Sequence, residues 1–205
     1  MIKFIKYSLV FIAIFLLFGI GTLVADKMYL QNELIRIHVV GRSNSREDQN
    51  VKLAVKDAIN AYLSEVLDST ISCEQASIEI NRALPQITAI ATEVLNHYDR
   101  DDDLQISLSK EAFPSRNYDT FTLPSGVYQS LRICIGDASG NNWWCVAFPS
   151  LCEAISSEEF CATAVDAGMS EGLSRTIVND NGLEIRFALL DFMGKLENFF
   201  VNLMS

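Results

Sequence analysis

Two histidines and five cysteines are the residues of this 205-residue chain whose types could carry covalent chemistry. His38 sits in the apolar run Leu34-Ile35-Arg36-Ile37-His38-Val39-Val40. A Cys145 thiolate with His38 as its base would make a cysteine-dependent hydrolase, if the two met within ~3 Å and a third group oriented the ring. No G-x-S-x-G elbow, H-E-x-x-H helix or glycine-rich phosphate loop supplies another centre. The cysteines, Cys73, Cys134, Cys145, Cys152 and Cys161, contain no C-x-x-C pair, which argues against a zinc ribbon or a thioredoxin-type redox site. Cys145 and Cys152 are close enough in sequence to meet after a turn as a disulfide, and the odd count leaves at least one thiol over. Asp99 to Asp103 offers carboxylates, but its sixth position is Leu104 where a calcium loop needs glycine, so it reads as a solvated turn. The expectation is a protein that is no enzyme, with no metal, no cofactor and no small-molecule substrate.

What remains is chemistry of recognition. Trp143 and Trp144 are consecutive in a strand, so they point to opposite faces and at most one fills the core on the helix side. The other either packs beneath a loop or stands as an aromatic anchor for a partner. Arg42-Ser43-Asn44-Ser45 poses a similar choice: Asn44 or Ser45 caps a helix, leaving Arg42 free to bind.

The elements that must position these residues follow from periodicity. Residues 34–40 alternate as a strand. After Ser45, Val51, Val55, Ala58, Ile59, Tyr62 and Val66 recur at helical spacing, predicting a helix to about Leu67. Ser72-Cys73-Glu74-Gln75 resembles a capping box and opens a second helix to Leu95, with Pro85 expected to kink it. Leu104 to Leu108 alternates as a strand, and a short edge strand is expected at Asp119 to Thr122. Val127 to Ile135 and Trp143 to Phe148 read as a hairpin around a Gly, Asp, Ser and Asn turn, with Val127, Leu131, Ile133 and Ile135 on one face. Residues 153–180 read as a mobile acidic loop with at most a short helix. A last amphipathic helix runs from Leu183 to about Leu203, with Ile185, Leu189, Phe192, Leu196 and Phe199 or Phe200 in register. The sum is an α+β fold: a small, mostly antiparallel sheet with amphipathic helices on one face.

An appendage precedes this body. Two lysines, Lys3 and Lys6, are followed by a run from Tyr7 to Ala25 without a charged residue. As a helix, residues 8–25 span roughly 27 Å against a ~30 Å hydrocarbon core, so this run is expected to enter the membrane. The basic head stays cytoplasmic and the chain beyond Asp26 is exported. Residues 1–27 are read as a signal peptide or anchor, and 28–205 as an extracytoplasmic domain. Ala25 suits a cleavage site but Leu23 does not, which favours an anchor or slow cleavage. Net charge is −10; without Lys3, Lys6, Lys27 and Asp26 the 16 basic and 26 acidic residues become 13 and 25, so the body carries −12. Such a body repels nucleic-acid phosphates, and nucleic-acid binding is not expected.

Three stretches carry a pattern. They are Ile35 to Ser45 with the helix start that follows it, Phe113-Pro114 with Tyr118 and Leu123-Pro124-Ser125-Gly126-Val127-Tyr128, and Gly140-Asn141-Asn142-Trp143-Trp144-Cys145-Val146-Ala147-Phe148-Pro149-Ser150-Leu151-Cys152. With the closing Glu184-Ile185-Arg186-Phe187, they resemble the stage II sporulation protein R family, over about Leu34 to Cys152 and again near the end. No match extends across Glu153 to Asp180. The resemblance implies a forespore-to-mother-cell signal of endospore formation, exported into the space between the septal membranes. Its partner would be a membrane-embedded aspartic protease of the mother cell, which processes a sigma-factor precursor. Trp143, Trp144, Arg42 and Tyr128 are then the expected partner-binding residues. An envelope-anchored, cell-wall-binding module is the alternative that shares the same anchor and fold.

Overall fold

The computed structural model describes residues 2–68, 72–149, 156–178 and 185–204. It opens with helix α1 (Ile2–Glu33), strand β1 (Ile35–Val40) and helices α2 (Arg46–Leu67) and α3 (Cys73–His97). Strands β2 (Leu104–Phe113), β3 (Arg116–Asn117), β4 (Thr122–Leu123), β5 (Gly126–Ile135) and β6 (Asn142–Phe148) follow. Helices α4 (Ser157–Asp166), α5 (Glu171–Ile177) and α6 (Ile185–Met204) complete it. The fold is α+β, with a four-stranded sheet ordered β2-β5-β1-β6 and a two-stranded β3-β4 ribbon.

The expected hairpin does not form, because β1 lies between its two strands. It pairs parallel with β5 and antiparallel with β6, while β2 pairs antiparallel with β5. All six β1 residues are buried, and a central position pairs both of its edges. The 136–141 loop crosses the end of β1 instead of reversing beside β5. There the Ser139 and Gly140 amides donate to the Arg42 and Gly41 carbonyls at 3.1 and 2.9 Å. A Cβ on Gly140 would lie 2.4 Å from the Ser43 carbonyl oxygen, so only glycine permits this crossing.

One face of the sheet carries α2 and α3 as the sequence suggests. Ile35, Ile37, Val39, Leu131, Ile133, Ile135 and Cys145 meet Val51, Val55 and Ile59 of α2 and Ile80 and Ile87 of α3. Ser45 caps α2, its hydroxyl accepting from the Asp48 amide, and Ser72 caps α3 through the Gln75 amide. Helix α3 continues past Pro85 to His97. Asp99, Asp101 and Asp103 are exposed, as expected of a solvated turn, while the Asp102 carboxylate turns inward and binds Arg100 and Arg42, each at 2.8 Å.

The opposite face is covered too, by a layer the sequence pattern does not reveal. Leu30 and Leu34 join Phe113, Phe121, Tyr128, Val146, Phe160, Leu173 and Leu190 in a second core. Residues 26–33 are the last turns of α1, which runs unbroken through Lys27 from the apolar segment into the body. The expected loop at 153–180 holds α4 and α5, capped by Ser156 and Ser170 and anchored by buried Phe160 and Leu173. Residues 153–155 and 179–180 lie outside the described residues, as do Leu183 and Glu184 of the last expected helix. The short edge strand expected at Asp119 to Thr122 is replaced by the β3-β4 ribbon, while Phe121 bridges to Val178.

Helix α6 forms, but turned about its axis from expectation. Its apolar stripe faces outward, and Leu190, Asp191 and Gly194 are the buried positions. Gly194 approaches so near that a Cβ would lie 1.6 Å from the Ser125 carbonyl oxygen. Beside it, the Ser125 amide donates to the Asp191 carboxylate at 2.9 Å. Burial pushes that carboxyl up, but the Lys195 ammonium and the Ser125 amide and hydroxyl outweigh it and hold the group below its usual range.

Candidate partner-binding site

Strand β6 is the outer strand of the sheet beside β1, and alternation sends its two tryptophans to opposite faces. Both are half-buried. Trp143 packs on the α2 side, with the Lys56 ammonium 5.2 Å from its ring centre. Trp144 lies on the other face, stacked on His38 at 5.2 Å with the Arg116 guanidinium 3.5 Å from its ring centre. A cleft of about 430 Å³ runs along this strand between Lys56 and Asn60 of α2 and the 117–121 segment.

Behind Trp144 the second face of the sheet is polar. The His38 ring nitrogens lie 2.9 Å from a Glu111 carboxylate oxygen and 2.9 Å from the Asn142 side-chain oxygen. Glu111 also faces Arg132 at 3.3 Å. Burial raises the Glu111 carboxyl, yet His38 and Arg132 together hold it below its usual range. Arg36 is fully buried, 4.1 Å from the centre of the Phe113 ring and 5.0 Å from that of Tyr128. Its Nη2 donates to the Tyr118 hydroxyl at 2.6 Å, while Nε and Nη1 find no hydrogen-bond partner among the described residues. Arg116 Nε is likewise without one, and burial together with the nearby Arg36 pushes its guanidinium down. Among the described residues neither guanidinium is paired with a carboxylate, and Arg116 lies against Trp144, which lines the cleft.

The residues singled out from sequence are only partly brought together. Trp143 and Trp144 share the cleft. Arg42 is elsewhere, half-exposed and paired with Asp102 near the β2-β5 end of the sheet. Tyr128, expected at a partner surface, is a core residue whose hydroxyl donates to the Pro124 carbonyl at 2.7 Å. The Cys145–His38 pair fails on geometry. Cys145 pairs with Ile37 and faces α2 and α3, whereas His38 pairs with Trp144 and faces the second core. Cys145 is moreover disulfide-bonded, so it offers no thiolate. Cys152 lies outside the described residues; Cys73, Cys134 and Cys161 are free thiols. Among the described residues no group of three or more His, Cys, Asp or Glu side chains is placed to hold a metal.

Sequence reasoning missed Arg36, Arg116 and Lys56. Arg36 did carry a signal, since a lone arginine between Ile35 and Ile37 is a charge in a strand otherwise fit for a core. Arg116 and Lys56 carried none, because their nearness to the tryptophans depends on how α2 and the β3-β4 ribbon flank β6.

The family model of stage II sporulation protein R matches residues 31–158, which include the sheet and both tryptophans. The stage II sporulation protein R of Bacillus subtilis (strain 168) is 32% identical over 123 residues, 60% of this chain and 55% of that protein. The match therefore spans a little over half of that relative. No solved structure matches.

Proposed function

The chain belongs to the stage II sporulation protein R family, and from that premise we propose that it is an intercellular signal of endospore formation. It is exported from the forespore, tethered or released by α1, and contacts a membrane-bound aspartic protease of the mother cell. That contact activates the protease to process a sigma-factor precursor. The observation that carries this reading is the family match over residues 31–158. Two features of the molecule agree with it. Helix α1 is long and apolar enough to cross a membrane, and its most apolar stretch is unburied. The Trp143–Trp144 cleft offers aromatic faces and cations of the kind that dominate protein interfaces.

On this reading the chain contributes binding energy, not bond chemistry. A partner poised between inactive and active conformations moves only by the difference in the affinities of this chain for the two. Shifting it from 1:99 to 99:1 takes about 5.5 kcal/mol of differential binding. Two or three well-packed aromatic or arginine contacts are enough to supply that. The test is deletion of the chain's gene in its host, followed by a blot for the sigma-factor precursor. The precursor should accumulate uncleaved in the deletion strain; normal processing overturns the proposal. Binding of the purified full chain to peptidoglycan but not to the protease ectodomain would instead favour a wall module.

A further inference from the structure

Helix α6 presents Ile185, Leu189, Phe192, Leu196, Phe199 and Leu203 on one outward stripe, each between 44% and 80% exposed. An amphipathic helix in a soluble body normally turns such a stripe inward. Here the opposite side is committed to the body, through Leu190, the Asp191–Ser125 contacts and the close seat of Gly194. The stripe therefore has nowhere to turn.

Its position relative to α1 tells what covers it. Asp26 is the first charged residue after the apolar run, and Arg186 at the start of α6 binds it through Nε at 2.9 Å and through Nη2. Eleven residues on, Glu197 meets Lys27 at 3.0 Å and accepts from Gln31. A stretch of α6 about 16 Å long is thus held at both ends within side-chain reach of the turn where α1 leaves its apolar run. The charges of α6 are spent within the chain: Arg186 on Asp26, Glu197 on Lys27, and Lys195 on Asp191 at 2.7 Å. Exposed apolar side chains on α1, among them Phe18, Ile20 and Val24, run down to the same junction. A soluble protein partner would cover one helix face; a lipid surface covers both.

We propose that α6 is an in-plane membrane helix, its apolar stripe seated in the headgroup–acyl boundary of the bilayer that α1 crosses. Two attachments then fix the body against the membrane, where α1 alone would leave helix and body free to tilt and turn together. Such helices bind by buried apolar area at shallow depth, ~5–10 Å, and a stripe with few free charges depends on that area alone. The inference rests on α1 being a retained anchor.

The full chain is reconstituted in phosphatidylethanolamine–phosphatidylglycerol vesicles with and without bromine on the mid-acyl carbons. Phe192→Trp and Phe199→Trp serve as reporters on the stripe, and Ile78→Trp as a control on an exposed position of α3. The α6 reporters should emit at shorter wavelength and lose emission in brominated vesicles, while the control and the native Trp143 and Trp144 emission stay unchanged. Vesicle flotation with no quenching at either α6 position overturns the proposal and leaves the anchor standing. A chain that fails to float overturns both. A blue shift that follows protein concentration, without quenching, means that a second copy covers the stripe and also overturns the proposal.

Discussion

Gly194→Ala separates two opposed expectations for α6. Alanine is the better helix former by about 1 kcal/mol, so local propensity alone makes the variant more stable. The packing predicts the reverse. The added Cβ would lie 1.6 Å from the Ser125 carbonyl oxygen, 2.3 Å from its carbon and 3.0 Å from the Gly126 nitrogen, all backbone atoms that cannot rotate away. Reaching ordinary contact requires α6 to retreat by about 1.5 Å. The Ser125 amide to Asp191 bond, now 2.9 Å, then stretches beyond hydrogen-bonding range. Losing a hydrogen bond to a charged group costs about 1.5–3 kcal/mol, and partly re-exposing Leu190 up to a similar amount. After the propensity gain, the net loss is about 0.5–5 kcal/mol. Urea unfolding of the full chain in detergent micelles, followed by tryptophan emission, should show the midpoint falling by up to roughly 2 M. A midpoint equal to or above that of the unmodified chain would refute the close seat of α6 and the outward orientation of its stripe.

Other expectations follow from the polar groups. The Asp48 carboxyl is held at about 2 by hydrogen bonds from Ser43 and Arg100. A folded value below the unfolded one contributes stability above the unfolded value, lost as pH falls from about 4 towards 2. Asp48→Asn should therefore be less stable than the unmodified chain at pH 7, with the gap closing over that acid window in urea titrations; a gap independent of pH would count against the Arg100 and Ser43 contacts. Arg36→Met removes a buried guanidinium, two of whose nitrogens have no partner among the described residues. It should raise stability by about 1–4 kcal/mol in the same assay, whereas a loss would show that the cation is compensated. Trp144→Ala should weaken binding to the protease ectodomain about 30-fold, a loss of ~2 kcal/mol, and slow precursor processing, with Trp144→Phe retaining much of both. Normal processing in both Trp143→Ala and Trp144→Ala would remove the cleft from the interface.

The sequence alone determined what depends on neighbours along the chain. The apolar run of α1, the capping hydroxyl of Ser72, the periodic faces of α2 and α3 and the opposite orientations of Trp143 and Trp144 all rest on local spacing, and the structure has each of them. Tertiary structure decided what depends on distant partners. Strand β1 enters between β5 and β6 because its buried residues need a pairing edge on both sides, and no local pattern distinguishes that from a hairpin. Arg116 reaches Trp144 only because the β3-β4 ribbon folds over the sheet. The α6 stripe had the right period for a core, but the rotation of a helix is set by what its other side can approach. There the missing side chain of Gly194 and the carboxylate of Asp191 fitted Ser125 closely enough to leave the apolar side facing out.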